Sequence, residues 1–179
     1  MADYIYTVSK KRFYPLSPRI EDIDIADIAH ALSMIARANG HFPEFHSVAQ
    51  HSIECAREAL ARGLGSKLSL ACLLHDGAEA YMSDVTTPVK SKLADYRVYE
   101  DKLINMIYQK YIGALSDKEK QLVYQIDKDL LYHEFYAHMH IELGNKSTLK
   151  TNPDFGFRPF DEVKMEYLEL FRQLTQAVV

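Results

Sequence analysis

The sequence predicts an all-α protein, a bundle of helices packed at steep angles, on three observations. Apolar residues recur at helical spacing through most of the 179 residues. Two segments open on Ser with Gln or Glu three residues later, Ser47-Val-Ala-Gln50 and Ser116-Asp-Lys-Glu119. In that pattern the side chains and free backbone amides of a helix start satisfy each other. Glycines stand where the apolar periods stop, at Gly40, Gly63, Gly113 and Gly144.

The hairpin and helices run in order along the chain. Tyr4 to Leu16 alternates loosely around Ser9-Lys10-Lys11, which predicts a short N-terminal hairpin. Ile25, Ile28, Leu32 and Ile35 predict a helix from Ile25 to Ala38, closed by Asn39-Gly40. The loop His41–His46 leads into a helix from Ser47 to Arg62. Ser66 is placed to cap the next helix, expected to run unbroken to Met82. Ser83 to Pro88 reads as a loop, because the residue before a proline is pushed out of helical geometry. Further helices are expected over Ala94–Tyr111, from Ser116 to Leu143, and over Asp161–Gln176, with a long loop from Asn145 to Pro159.

Residues 1–179 are expected to form one domain, with the motif-bearing part at about 20–135 and a C-terminal loop and helix over 145–179. A hydrophobic content of 47% supports a full core, and a net charge of −4 argues against a general nucleic-acid binder. Cys55 and Cys72 lie in apolar helical patterns and read as core residues of a reducing compartment. No apolar run is long enough for a membrane span. The start, Met1 to Tyr6, lacks the layout of a signal peptide. A soluble cytoplasmic protein is expected.

The stretch Ser69–Glu79 carries the chemistry. Leu70, Leu73 and Leu74 form an apolar stripe, and His75, Asp76 and Glu79 come next with no turn signal between. Buried ionisable groups need partners. The partner is either a neighbouring polar chain or a metal, and a His-Asp pair alone does not choose. His51, one turn into its helix, would by itself read as an ordinary core or surface histidine. Asp127 is sharper: with Val123, Leu130 and Leu131 at −4, +3 and +4 it should point into the core, where a carboxylate needs a cation. Asp129 reads as solvated. Glu134 shares the face of Asp127 and reads as a solvated edge residue or a second-layer partner. His51, His75, Asp76 and Asp127 together form a nitrogen and oxygen set, suited to a divalent ion of borderline-to-hard character rather than to a thiolate-seeking one.

In that order the residues resemble a known family. Asp24-Ile-Ala-Asp-Ile-Ala-His-Ala-Leu-Ser33, Arg37-Ala-Asn-Gly-His41, Ser47-Val-Ala-Gln-His-Ser52, Leu74-His-Asp-Gly-Ala-Glu-Ala-Tyr81, Asp84-Val-Thr-Thr-Pro-Val-Lys90 and Asp127 look like the HD-domain phosphohydrolase superfamily. The nearer likeness is to its short bacterial and prophage-borne branch, the 5′-deoxynucleotidases of the YfbR and YfdR type. The resemblance implies an HD-domain helical bundle and one divalent metal ion (Mn, Co, Zn, Fe or Mg) on His51, His75, Asp76 and Asp127. It implies Glu79 as general acid or base, with Asp84 close to substrate or to the attacking water. It implies Arg37 on the substrate phosphate. Thr87 and Lys90 are candidates for phosphate or sugar hydroxyls. A small nucleotide is the implied partner, with no nucleic-acid polymer and no membrane.

The implied reaction is hydrolysis of nucleoside 5′-monophosphates. Removal of triphosphate or pyrophosphate from a nucleotide is the alternative within the superfamily, and a helical binding module with a vestigial metal site is the alternative outside it. The family tends to homodimers, for which the Ala94–Tyr111 and C-terminal helices offer apolar faces. One departure stands out. The better-known deoxynucleotidases carry a Trp directly after the Arg, and here Ala38 follows Arg37 in a chain without Trp. His41, Phe42, Phe45 and His46 are the candidates to line a base pocket instead.

Overall fold

The computed structural model describes residues 3–177. The outermost two residues at each end of the expected domain lie outside this range, as does the start of the segment read for a signal peptide. The N-terminal segment forms a minimal antiparallel hairpin, β1 (Ile5–Tyr6) with β2 (Arg12–Phe13), in the register Ile5 to Phe13 and Tyr6 to Arg12. Lys10, at φ 64°, makes the turn. Buried Asp27 holds it down by accepting hydrogen bonds from the Ser9 amide at 3.0 Å and hydroxyl at 2.8 Å. Phe13 is fully buried and stacks on Tyr81 with ring centres 3.8 Å apart. Burial of such a side chain contributes about 1.5–3 kcal/mol.

Most of the remaining described residues are helical. The helices are α1 (Ile25–Met34), α2 (Val48–Ala61), α3 (Gly65–Leu74), α4 (Glu79–Met82), α5 (Thr87–Lys90), α6 (Ala94–Tyr111), α7 (Asp117–Met139) and α8 (Phe160–Gln176). The protein is therefore all-α with a short N-terminal hairpin. Helix α2 is central: 11 of its 14 residues are buried, and α1, α3, α7 and α8 pack around it. Among the described residues, no helix is long and apolar enough to cross a membrane.

Both expected capping boxes form. Ser47 accepts from the Gln50 amide while Gln50 takes the Ser47 amide, and Ser116 and Glu119 do the same. Each cap contributes about 1 kcal/mol and fixes where its helix starts, and so which residues share each face.

Besides α5, which takes Thr87 and Pro88 out of the expected Ser83–Pro88 loop, four boundaries differ from expectation. Helix α1 stops at Met34 rather than Ala38. Ile35 and Ala36 turn extended, and Ala36 bridges to Ser47, so the backbone polar groups are satisfied by pairing with the entry to α2. Arg37–Gly40 is a tight separate turn, with Ala38 and Asn39 in left-handed geometry at φ 51° and 53°. Ser66 caps nothing; α3 begins at Gly65 after Leu64, without a side-chain cap.

The third difference is the break between α3 and α4, across His75–Ala78. The Gly77 amide turns back to Leu74 O at 2.8 Å. A Cβ on Gly77 would lie 2.9 Å from that oxygen and 3.2 Å from Ile107 Cδ1, which is why a glycine is needed here. Fourth, α7 ends at Met139 on His140, which takes the left-handed cap conformation, four residues before Leu143. The loop down to Pro159 is correspondingly longer. Gly144 instead lies against the Tyr132 ring.

Candidate metal centre

The break after α3 presents His75 and Asp76 as an outward step from a buried helix end. The last carbonyls of α3 are taken by side chains: Tyr108 Oη donates to Ala71 O, Tyr167 Oη to Leu73 O at 2.7 Å, and His75 Nδ1 to Cys72 O at 2.7 Å. With these groups satisfied, the helix can end inside the protein without orphaned polar atoms. The proton assigned to His75 Nδ1 from that partner leaves Nε2 as a free donor atom. Its side chain is only 9% exposed, and Nε2 has no hydrogen-bond partner.

His51 is prepared in the same way from α2. Its Nδ1 donates to Glu134 Oε1 on α7 at 2.5 Å, and its Nε2 faces Asp127 Oδ1 at 3.0 Å. A carboxylate behind a histidine fixes its tautomer and ring orientation and raises its basicity toward a metal. Asp76 Oδ2 lies 3.2 Å from His75 Nε2 and 4.0 Å from His51 Nε2, and it too is buried without a hydrogen-bond partner. Asp127 Oδ1 is 3.6 Å from His75 Nε2.

These distances suit one shared ion. Ligand atoms about 2.1 Å from one centre lie about 3.0 Å apart at right angles and about 4.2 Å apart when opposite. The four measured separations fall between 3.0 and 4.0 Å. The expected ligands His51, His75, Asp76 and Asp127, from α2, α7 and the turn after α3, are thus brought together.

One further donor joins them. Cys55, one turn after His51 on α2, places Sγ 3.4 Å from His51 Nε2. His51, Cys55 and His75 form a group able to hold a metal ion, with ligand atoms within 4.8 Å of one another. Cys55 is a core residue as expected, but it also adds a soft donor to a set read from the sequence as nitrogen and oxygen only. The periodicity marked it as apolar, and the i, i+4 spacing from His51 was the available signal.

The charges are strongly coupled. Burial pushes the Asp127 carboxyl up, and the hydrogen bonds and charge of His75 and His51 override that, holding it well below the ordinary range. Burial and Arg37 oppose a charge on His51, while Cys55, Glu134 and Asp127 together drive its imidazole well above its usual value. His75 is raised against burial by Asp76 and Asp127. These opposed pulls arise because two imidazoles and two carboxylates share one confined cluster.

Three acidic residues are placed differently from expectation. Asp127 is not enclosed in the core: its side chain is 30% exposed and forms part of a cavity wall, reaching His51 of α2 at the edge where α7 borders the site. Asp129 is buried, not solvated. It pairs with Arg62 at 2.9 Å and accepts from Gln125 at 2.8 Å. Glu134 has no exposure at all, which overturns the solvated-edge reading. It lies between His51, Arg37 Nη2 at 3.3 Å and His46 Nε2 at 3.6 Å. Burial pushes its carboxyl up, and His51 and Arg37 outweigh this and hold it well below the usual range. Its place two turns after Asp127 was the only sequence signal for this role.

A cavity of about 420 Å³ opens beside the cluster. Arg37, Asp76, Glu79, Asp84, Thr87, Lys90 and Asp127 line its polar side. Phe42, Val85, Leu131, Phe135 and Leu143 line its apolar side. Pockets of this size and mixed lining suit small organic ligands. Of the four loop residues proposed for a base pocket, Phe42 lines it, in edge contact with Phe135 at 5.1 Å. His41 is exposed, Phe45 is half-buried away from the lining, and His46 is buried behind the site. A wider hollow beside the hairpin, about 600 Å³, is lined by Lys11, Arg12 and Arg19 among others. It is an open depression in which Lys11 and Arg19 are paired with Asp24 and Asp22.

Arg37 is buried at the cavity edge. The bridge between Ala36 and Ser47, and the hydrogen bond from its amide to His46 O at 2.9 Å, pin its backbone there. Its guanidinium lies 3.6 Å from Asp76 and 3.3 Å from Glu134. Glu79 is buried, and its Oε2 has no hydrogen-bond partner. Burial, then Asp76 and Asp84, raise its carboxyl well above the ordinary value. Burial raises Asp84 as well, against the pull of Arg37. Lys90 is half-buried and paired, with Glu100 at 2.6 Å and Glu79 at 3.7 Å, so it is not a free solvated lysine.

No protein-family model matches the chain. Two relatives share part of it. The uncharacterized protein YfdR of Escherichia coli K12 is 39% identical over 108 residues, covering 60% of this chain and 58% of that protein. An uncharacterized protein of Rhodobacter capsulatus is 37% identical over 110 residues, covering 58% of this chain and 56% of that protein. The chain thus spans less than two thirds of the length of either relative.

Proposed function

We propose that this chain is a metal-dependent phosphohydrolase of the HD-domain superfamily, acting on nucleoside 5′-monophosphates to release nucleoside and phosphate. The observation that carries the reading is a pair of orphaned buried atoms, His75 Nε2 and Asp76 Oδ2, set 3.2 Å apart beside His51 Nε2 and Asp127 Oδ1 at the wall of a ligand-sized cavity. Buried polar atoms left without partners are costly, and one divalent ion satisfies all four. When bound, the ion supplies Lewis acidity toward a phosphoryl oxygen.

The remaining roles fall to the chain's own side chains. Arg37 offers a guanidinium fork at the cavity edge to the phosphate, in exchange for part of its pairing with Asp76. Lys90 adds a second cation on the same wall. Glu79 is the proton donor to the leaving 5′ oxygen, because burial and its acidic neighbours raise its carboxyl well above the ordinary value and so favour the protonated form. Asp84 and Thr87 line the same space and orient water or sugar hydroxyls. The apolar wall of Phe42, Leu131 and Phe135 receives the base. The two cationic side chains on the cavity wall among the described residues, Arg37 and Lys90, both already face carboxylates. That balance favours a monophosphate over a triphosphate, which would bring more negative charge than the wall and one divalent ion offset.

The test is metal analysis of the purified protein combined with a phosphate-release panel of dNMPs, NMPs and dNTPs. Release from monophosphates is expected. Bound metal without release from any nucleotide would sink the enzymatic reading and leave a helical binding module, and release from triphosphates alone would replace the substrate class.

A further inference from the structure

We propose that Cys55 makes the centre dual, so that His51, Cys55 and His75 bind a thiophilic divalent ion of the zinc type in competition with the carboxylate-held ion. The inference rests on His51 and His75 being metal ligands, as the proposed function has them, and adds a third donor that the proposed function does not use.

The Cys55–His51 separation matches that of two donors on one ion. On a tetrahedral ion with sulfur at about 2.3 Å and nitrogen at about 2.0–2.1 Å, adjacent donor atoms lie about 3.5 Å apart. Cys55 Sγ and His51 Nε2 are 3.4 Å apart, and the group closes on His75 within 4.8 Å. His75 brings the independent sign of a missing ligand: a side chain nine-tenths buried whose Nε2 has no partner. Its other nitrogen is committed to Cys72 O, so Nε2 is the atom it offers.

The two donor sets share both histidines and differ in what completes them. Asp76 and Asp127 belong to the cavity wall. Cys55 is 1% exposed and stands on the core side of the same imidazoles. Hard ions take carboxylates and soft ones take thiolates. A single Nε2 serves one ion at a time, so filling one set excludes the other. On binding, the S–H bond breaks, the sulfur–metal bond forms and the proton passes to solvent, with no change of oxidation state.

The experiment uses the full chain, stripped of metal and loaded with one equivalent of zinc. X-ray absorption at the zinc edge should show one sulfur at about 2.3 Å beside the nitrogen donors. Cys72→Ala should keep that sulfur, and Cys55→Ser should lose it. Competition between zinc and manganese then reads the consequence: the zinc preference of Cys55→Ser should fall about 10-fold or more. A zinc shell of nitrogen and oxygen alone, a sulfur that disappears with Cys72→Ala, or a smaller fall in preference overturns the proposal. The spectrum of the unsubstituted protein decides even if Cys55→Ser fails to fold. Failure of the two readings is distinguishable. If the protein binds neither zinc nor manganese, the metal centre falls as a whole; zinc held without sulfur removes Cys55 alone.

Discussion

His51 Nδ1 donates to Glu134 Oε1 at 2.5 Å, between two helices and with no solvent access to either side chain. The contact turns the other face of the imidazole, Nε2, toward Asp127 and His75. Glu134→Gln should therefore weaken metal binding about 10–100-fold, the range for losing a carboxylate behind a ligating histidine. Titration of the metal-free variant with manganese reads the effect, and unchanged affinity would remove Glu134 from the site.

His75→Ala and Asp76→Ala should each abolish phosphate release and lower bound metal. Metal content and turnover retained together in either variant would detach the α3 break from the chemistry.

Glu79 should matter to turnover and not to metal. Its carboxyl is raised well above the usual value by burial and by its acidic neighbours. A proton donor of this kind is competent below its raised value and is lost as pH rises through it. Turnover should fall on the alkaline side in the unsubstituted protein, and Glu79→Gln should lack both that limb and most of the rate while binding metal normally. A metal-deficient Glu79→Gln would make this residue a ligand instead.

Arg37 is buried between Asp76 and Glu134. Arg37→Ala should raise KM more than it lowers kcat. It should also destabilise the metal-free protein by about 3–5 kcal/mol, the cost of stripping one partner from a buried pair. Urea unfolding and steady-state kinetics separate the two effects, and an unaltered KM would count against phosphate binding.

The long loop before α8 is held by Glu58, a fully buried side chain on α2. It accepts from the Lys150 and Thr151 amides at 2.9 Å, from the Thr151 hydroxyl at 2.7 Å and from Arg62 Nε at 2.7 Å. Burial pushes this carboxyl up, and those hydrogen bonds bring it below its ordinary 4.5. A lowered folded value means stability present above the unfolded value and lost as pH falls through the folded one. Glu58→Gln should cost about 1–3 kcal/mol at neutral pH. The gap should narrow in acid; an equal gap in urea unfolding at both pH values would contradict this account.

Much of the fold was legible because it depends on local chemistry. The capping boxes at Ser47 and Ser116 need only residues three apart, and both form as read. The apolar periods of α2, α6 and α8 mark those helices, and the alternation around Ser9–Lys11 marks the hairpin. Boundaries set by distant partners were not legible. Helix α1 ends early because Ala36 pairs with Ser47, and α3 breaks after Leu74 where Tyr108 and Tyr167 reach its last carbonyls.

The sequence by itself singled out the candidate side chains: His51, His75, Asp76 and Asp127 in order, with Glu79, Asp84, Arg37 and Lys90 near them along the chain. Tertiary structure alone decided which face of each helix meets another. Asp127 and Asp129 lie two residues apart on α7, and their burial came out reversed. The helix turns Asp127 to the cavity and sets Asp129 against Arg62, just past the end of α2. The same packing buries Glu134 behind His51 and brings Cys55 against it from the core side. Helical spacing fixes which residues share a face, but the burial and charge of that face depend on partners supplied by helices far away in sequence.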